Sequence, residues 1–244
     1  ERLKEIPPEI ESNTTTLNPT TDTTPVTETK KIEIIKTPTP PQTEVVSALR
    51  YVDRATGIIY QTFADKIKET KFSETIIPKI YEAFFGNNSG SVIMRYLNID
   101  DVTIETFVGV LPKEKIGEET QTINPVQGYF LPENIKDISL SPDNTKVFYL
   151  FENETMSGNI IIGTILNLID NKKVQIFDSS FTEWLSWWPN NKMVTLSTKP
   201  SGSVPGYMYS LDTEKKSFIK TLGNINGLTT LTSPNGKSVL FGNN

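Results

Sequence analysis

The sequence contains no cysteine and no histidine among its 244 residues. No disulfide can form, and no thiolate or imidazole can hold zinc or ligate a haem. A Ser-His-Asp or Cys-His triad cannot be assembled from this chain alone. Chemistry here would have to run on carboxylates, lysine, tyrosine or a bound cation. No Gly-x-Ser-x-Gly, Gly-x-Gly-x-x-Gly or P-loop pattern occurs either. Basic residues are in the minority, 24 against 29 acidic ones for a net charge of −5. A nucleic-acid binder normally presents a basic face, so that partner class is excluded. No stretch approaches the roughly 18 apolar residues of a membrane-spanning helix. The most apolar run, Ile160 to Ile169, is interrupted by Gly163, Thr164 and Asn167. The first residue is Glu1 and not Met. That fits either removal of an upstream signal or anchor, or a trimmed chain.

Aromatic residues and glycine are absent from residues 1–46, which hold twelve Thr and seven Pro. Such a segment cannot bury enough apolar surface to offset its ordering entropy. It reads as a disordered linker or an extended, polyproline-like stalk, of the sort that carries O-linked glycans on cell surfaces. Within it, Lys31 to Ile35 alone has strand composition. Residues 47–244 form the second unit and hold all 23 aromatic residues. There, short alternating segments are separated by turn chemistry, and no long stretch has helical period. Leu49–Asp53 and Ile58–Phe63 flank a turn in which Gly57 supplies a positive φ. Further hairpins turn at Asp170–Lys173 and at Asp212–Lys216.

A repeat organises this second unit. Ile138 to Leu150 is a strand, a turn around Pro142 and Asp143, and a strand. Leu185 to Leu196 repeats it around Pro189 and Asn190 with one residue deleted. Thr230 to Phe241 repeats it around Pro234, Asn235 and Gly236. The prolines are 47 and 45 residues apart. A period of that length with strand-only content selects a propeller. Proline sets φ for the second turn position, and Asp or Asn followed by Asn or Gly takes the positions after it. A divergent copy without proline runs from Ala83 to Met94.

The segments LSPDNTKVFYL and TSPNGKSVLF resemble the Ser-Pro-Asp-Gly repeats of the TolB-like, WD-repeat-like β-propellers of bacteria. The resemblance spans residues 47–244 and rests on the proline-centred turns, whose role in that family is structural. It implies an all-β β-propeller of four-stranded antiparallel blades, with the repeated turn joining the first two strands of each blade. It also places the Arg54–Gly57 hairpin between a third and a fourth strand. The count is three blades and two halves, which either combine into a four-bladed ring or belong to a larger ring continued beyond Asn244.

Candidate sites are few. Trp184, Trp187 and Trp188 cluster beside Tyr207 and Tyr209, and aromatics of this kind stack on sugars or anchor protein partners. Aligned at the proline, Trp187 matches Leu140 and reads as core. Trp188 reads as partly exposed, so Trp184, Trp188, Tyr207 and Tyr209 are the candidate partner-binding residues. Asp100, Asp101 and Asp143 lack calcium-loop spacing and read as solvated turns. The pairs Glu118 and Glu119, and Glu152 and Glu154, read as surface residues, not as glycosidase acids. Asn13, Asn87 and Asn153 match the N-glycosylation pattern. The sequence thus indicates no catalytic residue, cofactor or metal. It reads as an extracytoplasmic binding or scaffold module for a protein or glycan, acting through loops at one end of the ring. The alternatives are an accessory domain of a larger hydrolase and a carboxylate-based glycan enzyme.

Overall fold

A computed structural model describes residues 2–6, 42–65, 68–112, 125–156 and 158–243. Every regular element among them is a strand. Of the Thr/Pro-rich segment, its ends β1 (Arg2–Ile6) and β2 (Gln42–Val46) pair as an antiparallel ribbon. Its remaining stretches, with the Lys31–Ile35 segment and Asn13, lie outside the described residues, as do Glu118 and Glu119.

The rest is a succession of antiparallel sheets, each built from consecutive strands. The first has β3 (Ala48–Val52), β4 (Ile59–Phe63) and β5 (Thr70–Lys71). The second has β6 (Ile80–Gly86), β7 (Ser91–Leu97), β8 (Ile104–Val110) and β9 (Gln127–Phe130). The third has β10 (Asp137–Leu140), β11 (Lys146–Thr155), β12 (Gly158–Asn167) and β13 (Lys173–Ser179). The fourth has β14 (Trp184–Asn190), β15 (Met193–Thr198), β16 (Pro205–Asp212) and β17 (Phe218–Asn226). The fifth has only β18 (Thr229–Thr232) and β19 (Val239–Gly242).

The second strands of the second and third sheets, β7 and β11, are apolar on both faces because sheets flank them on both sides, whereas β15 is apolar only toward the third sheet, through Val194 and Leu196. In β7, Val92 and Met94 pack toward the first sheet, and Ile93 toward the third. In β11, Val147 and Tyr149 join the core shared with the second sheet. Phe148 and Leu150, between them, join the core shared with the fourth. This alternation of period two gives each of the three joints among the first four sheets its own hydrophobic core.

The proline turns show why serine precedes proline. The Ser141 N–H donates to the Lys146 carbonyl at 2.9 Å, and the Lys146 N–H donates back to the Ser141 hydroxyl oxygen at 2.9 Å. Ser233 and Ser238 repeat both bonds at 2.9 and 3.1 Å. The Asp143 and Asn235 side chains each accept from the backbone two residues on. The fourth sheet differs. Pro189 and Asn190 fall in β14, next to a bulge, but the Asn190 side chain still accepts from the backbone two residues on, the Lys192 N–H at 3.1 Å, as Asp143 and Asn235 do. The missing residue has shortened this hairpin, and the strand has absorbed its proline.

The Gly57 hairpin also differs from expectation. Three joints share one bond, in which the residue entering a sheet donates to the connection between the second and third strands of the sheet before. Asn134 donates to the Ile104 carbonyl at 2.8 Å and Gly227 to that of Ser201 at 2.7 Å. Ile77 donates to that of Thr56 at 2.9 Å. By this measure the Gly57 turn joins second and third strands, and β5 is the fourth. Among the described residues, the first sheet therefore has no first strand, and the fifth no third or fourth. The two incomplete sheets hold five strands and duplicate the second position, so they do not merge into one four-stranded blade.

Candidate functional site

The tryptophans lie at the joint between the third and fourth sheets, with their exposures reversed from expectation. Trp188 is 3% exposed and Trp187 is 51% exposed. The cause is the shortened hairpin, which moves β14 by one residue against its neighbour. A one-residue shift moves every side chain to the other face. Trp188 therefore takes the core position that Leu140 holds in the third sheet. Trp187 points the other way, toward the fifth sheet.

Trp184 is buried as well, and its indole N–H donates to the Phe181 carbonyl at 2.8 Å. It is the hub of an aromatic ladder. Phe181 and Phe177 meet it edge-on, each with its centroid 5.5 Å away. Tyr209 lies 5.8 Å from it and stacks on Phe218 at 4.5 Å and 11°. The ladder surfaces at Phe181 and Phe218, which are 38% and 46% exposed. Tyr207 and Tyr209 are half-buried, and the Lys220 ammonium sits 4.5 Å from the Tyr207 ring centroid. Of the four sequence candidates, the structure brings Trp184 and Tyr209 together and sets Trp188 in the same core. The ladder's ring edges that reach solvent belong to Phe181 and Phe218, of which Phe181 stands alone in a polar stretch and Phe218 opens a strand beside Ile219, so neither carries a pattern of its own.

A second cluster lies where the first strands of three sheets approach one another. On the second sheet, Arg95 is paired with Glu82 at 2.6 Å and donates to the Ile135 carbonyl at 2.6 Å. Its guanidinium lies 5.1 Å from the Tyr81 ring centroid, and its Nε is buried without a partner. Asp137 begins the third sheet and accepts from the backbone N–H and hydroxyl of Ser186 on the fourth, at 2.5 and 2.6 Å. The Ser186 and Ser139 hydroxyls are 3.0 Å apart. Burial holds the Asp137 carboxyl above the ordinary range against the pull of Ser186 and Arg95, and Glu82 adds to the rise. No sequence spacing announces this cluster, because its members come from three repeats.

The other carboxylates behave as turn residues. Asp100 is held low by the Thr103 hydroxyl and by backbone N–H groups of Val102 and Thr103. Burial raises Asp143, but bonds from Ser141 and Thr145 outweigh it and leave the group low. Glu152 is held low by Lys136, its partner at 2.8 Å, and by Asn159. Among the described residues, no three acidic side chains are grouped as metal ligands. Among them, too, no helix is long and apolar enough to cross a membrane.

No family model and no curated protein matches the sequence. Solved structures do match. The β-propeller domain of the Trilobed protease from Pyrococcus furiosus superposes with a TM-score of 0.51 at 12% identity, over 81% of this chain and 59% of that one. TolB from Acinetobacter baumannii gives 0.44 at 12% identity, over 80% and 46%. The acylaminoacyl peptidase of Pyrococcus horikoshii gives 0.49 at 10% identity, over 80% and 33%. This chain therefore spans less than two thirds of each of these structures. Such identities speak to fold alone. The chain has the fold of a β-propeller, and its described residues form three complete four-stranded blades between a three-stranded and a two-stranded one.

Proposed function

We propose that this propeller is a binding module of the extracytoplasmic space that recognises a protein or glycan through exposed aromatic rings and performs no chemistry itself. The observation that carries the reading is the aromatic ladder. Trp184 and Tyr209 fix Phe181 and Phe218 from beneath, so two rings are presented at the surface with little freedom left to lose. Rigid aromatic anchors backed by a core are how binding surfaces concentrate affinity. The Thr/Pro-rich segment supports a place outside the cytoplasm, as a spacer ahead of the ring.

The test screens the purified chain against a printed glycan array and a displayed peptide library. Phe218→Ala and Phe181→Ala should stay folded, with a modest loss of stability from the ring contacts removed, and lose about tenfold or more in affinity for the best hit, as expected of an anchor residue. Turnover of a substrate by the purified chain, abolished by a point substitution here, would overturn the reading. A second reading is an accessory domain of a larger hydrolase, supported by the likeness to a propeller described as part of a protease. Reading the gene on either side for a nucleophile elbow separates the two.

A further inference from the structure

Because each sheet is built from consecutive antiparallel strands, the chain turns at two opposite ends of the propeller. Turns from first to second and from third to fourth strand share one end. Turns from second to third strand share the other, with the connections between sheets. Lysine is used differently at the two ends. At the second, Lys79, Lys136 and Lys199 are committed to ion pairs with Asp101, Glu152 and Glu183. At the first, the third-to-fourth turns of the third and fourth blades carry one lysine pair each, Lys172–Lys173 and Lys215–Lys216. All four of these lysines are exposed, and among the described residues none is in an ion pair.

The carboxylates of the same two turns are used on the backbone. Asp170 accepts from the Lys172 N–H at 3.0 Å. Asp212 accepts from the Glu214 and Lys215 N–H groups at 2.9 and 2.8 Å. Aspartates in such turns shape the loop, and the four ammonium groups are left facing solvent.

An aromatic ring surfaces beside them. Phe218 follows Lys216 by two residues and is 46% exposed. Its ring is turned toward the third blade, 5.7 Å from Phe177, and stacks on Tyr209 at 4.5 Å. Lys173 begins β13, the strand that carries Phe177. The joint between these two complete blades therefore bears a lysine pair from each, at the end where the Phe218 ring is exposed.

We infer that this end binds an anionic glycan. The Phe218 ring stacks on a sugar face, while Lys172, Lys173, Lys215 and Lys216 pair with carboxylate or sulfate groups along the polymer. This ligand class rests on the binding role proposed above and narrows it. A neutral glycan would leave four uncommitted ammonium groups without a partner. A polyanion without sugar rings would leave the held Phe218 ring without one. The opposite end is the poorer site, because its lysines are already neutralised and its exposed Ile99 adjoins Asp100 and Asp101.

The test measures binding of the 244-residue chain to carboxymethyl-dextran, dextran sulfate and uncharged dextran. The charged polymers should bind at least about tenfold more tightly than dextran, with an advantage that shrinks as salt rises. Replacing all four lysines, Lys172→Gln, Lys173→Gln, Lys215→Gln and Lys216→Gln, should weaken that binding about tenfold or more without changing the melting temperature. Lys215→Gln with Lys216→Gln should weaken it in part. Lys79→Gln with Lys199→Gln removes the same charge at the other end and should leave it unchanged. Equal losses from these two double variants would mean that bulk charge is responsible, and would overturn the inference. So would failure to bind either charged polymer, or equally tight binding of inorganic polyphosphate or of phosphatidylglycerol vesicles. Loss of binding in Phe218→Ala, with the fourfold lysine variant binding as the wild type does, overturns the anionic ligand and leaves the aromatic binding role standing. Binding untouched by Phe218→Ala counts against both.

Discussion

Ser186 closes on Asp137 with two donors at once, its backbone N–H at 2.5 Å and its hydroxyl at 2.6 Å, both to the same carboxylate oxygen. The two residues sit on the first strands of adjacent blades and are 49 positions apart. This is a polar clasp placed between two hydrophobic joints. Arg95 contributes from a third blade by anchoring the Ile135 carbonyl, two residues before the clasp.

The clasp predicts a pH dependence. Burial is the main reason that the Asp137 carboxyl lies above its ordinary range, and Glu82 works in the same direction. The folded state therefore holds this proton more tightly than the unfolded state. The stabilisation that protonation brings is complete below the unfolded value and is lost as pH rises through the folded one. Asp53, Asp100, Asp143, Glu152 and Asp212 are held low and act oppositely, but only as pH falls below the ordinary carboxylate range. Urea unfolding just above that range should show wild-type stability falling as pH rises, with a weaker fall in Asp137→Asn. Asp137→Leu should cost about 1–3 kcal/mol, because the buried Ser186 donors lose their acceptor. An unchanged slope in Asp137→Asn would remove Asp137 as the cause.

The proline turns predict unequal costs for one substitution. Ser141 is 1% exposed and both gives and receives hydrogen bonds, donating to Asp143 at 2.6 Å and accepting from the Lys146 N–H. Ser141→Ala strands the Lys146 donor and should cost about 1–3 kcal/mol. Ser233 makes the equivalent bonds on the two-stranded blade, where solvent can replace them. Ser233→Ala should cost less than half as much. Chemical denaturation of the two variants compares them directly, and equal losses would contradict this account.

Pro142 and Pro234 made the blades legible because a serine–proline–Asx turn writes its hydrogen bonds into consecutive residues. The strand runs beside them, such as Val147 to Leu150, were legible because burial on both faces demands unbroken apolar residues. Face assignment around Pro189 was not legible. A deletion in a hairpin can be absorbed by the turn or by the strand, and only the fold shows that β14 absorbed it. The Gly57 turn is legible as a turn with a positive φ, which is 75°. Its place in the blade was hidden, because second-to-third and third-to-fourth hairpins use the same turn chemistry. The Arg95–Asp137–Ser186 cluster left no local signature at all, since register between blades, and not spacing along the chain, brings it together.

Gly57 is held by more than its φ. A Cβ at this position would sit 2.4 Å from the Ile77 carbonyl oxygen, a backbone atom that cannot move aside cheaply. Ile77 is also the residue whose N–H bonds to Thr56 and fixes the second blade against the first. Gly57→Ala should therefore destabilise by about 2 kcal/mol or more, through positive-φ strain and this collision together. Hydrogen exchange should show the loss first at the amides of Ile77 and Ile80. A variant as stable as the wild type would mean that the turn reorganises freely.

The reversed tryptophans give the sharpest optical test. Only Trp187 is exposed among the three, at 51% against 5% for Trp184 and 3% for Trp188. Acrylamide should quench one component of the fluorescence readily and leave the rest protected. Trp187→Phe should remove that component and leave stability within about 0.5 kcal/mol, as for a surface site. Trp188→Ala should empty a core position between Val194 and the third blade and cost about 3–5 kcal/mol. If the accessible component vanished with Trp188 instead, β14 would stand in the register that aligns Trp187 with Leu140. The aromatic ladder would then face the other way, and with it the surface assigned to partner binding.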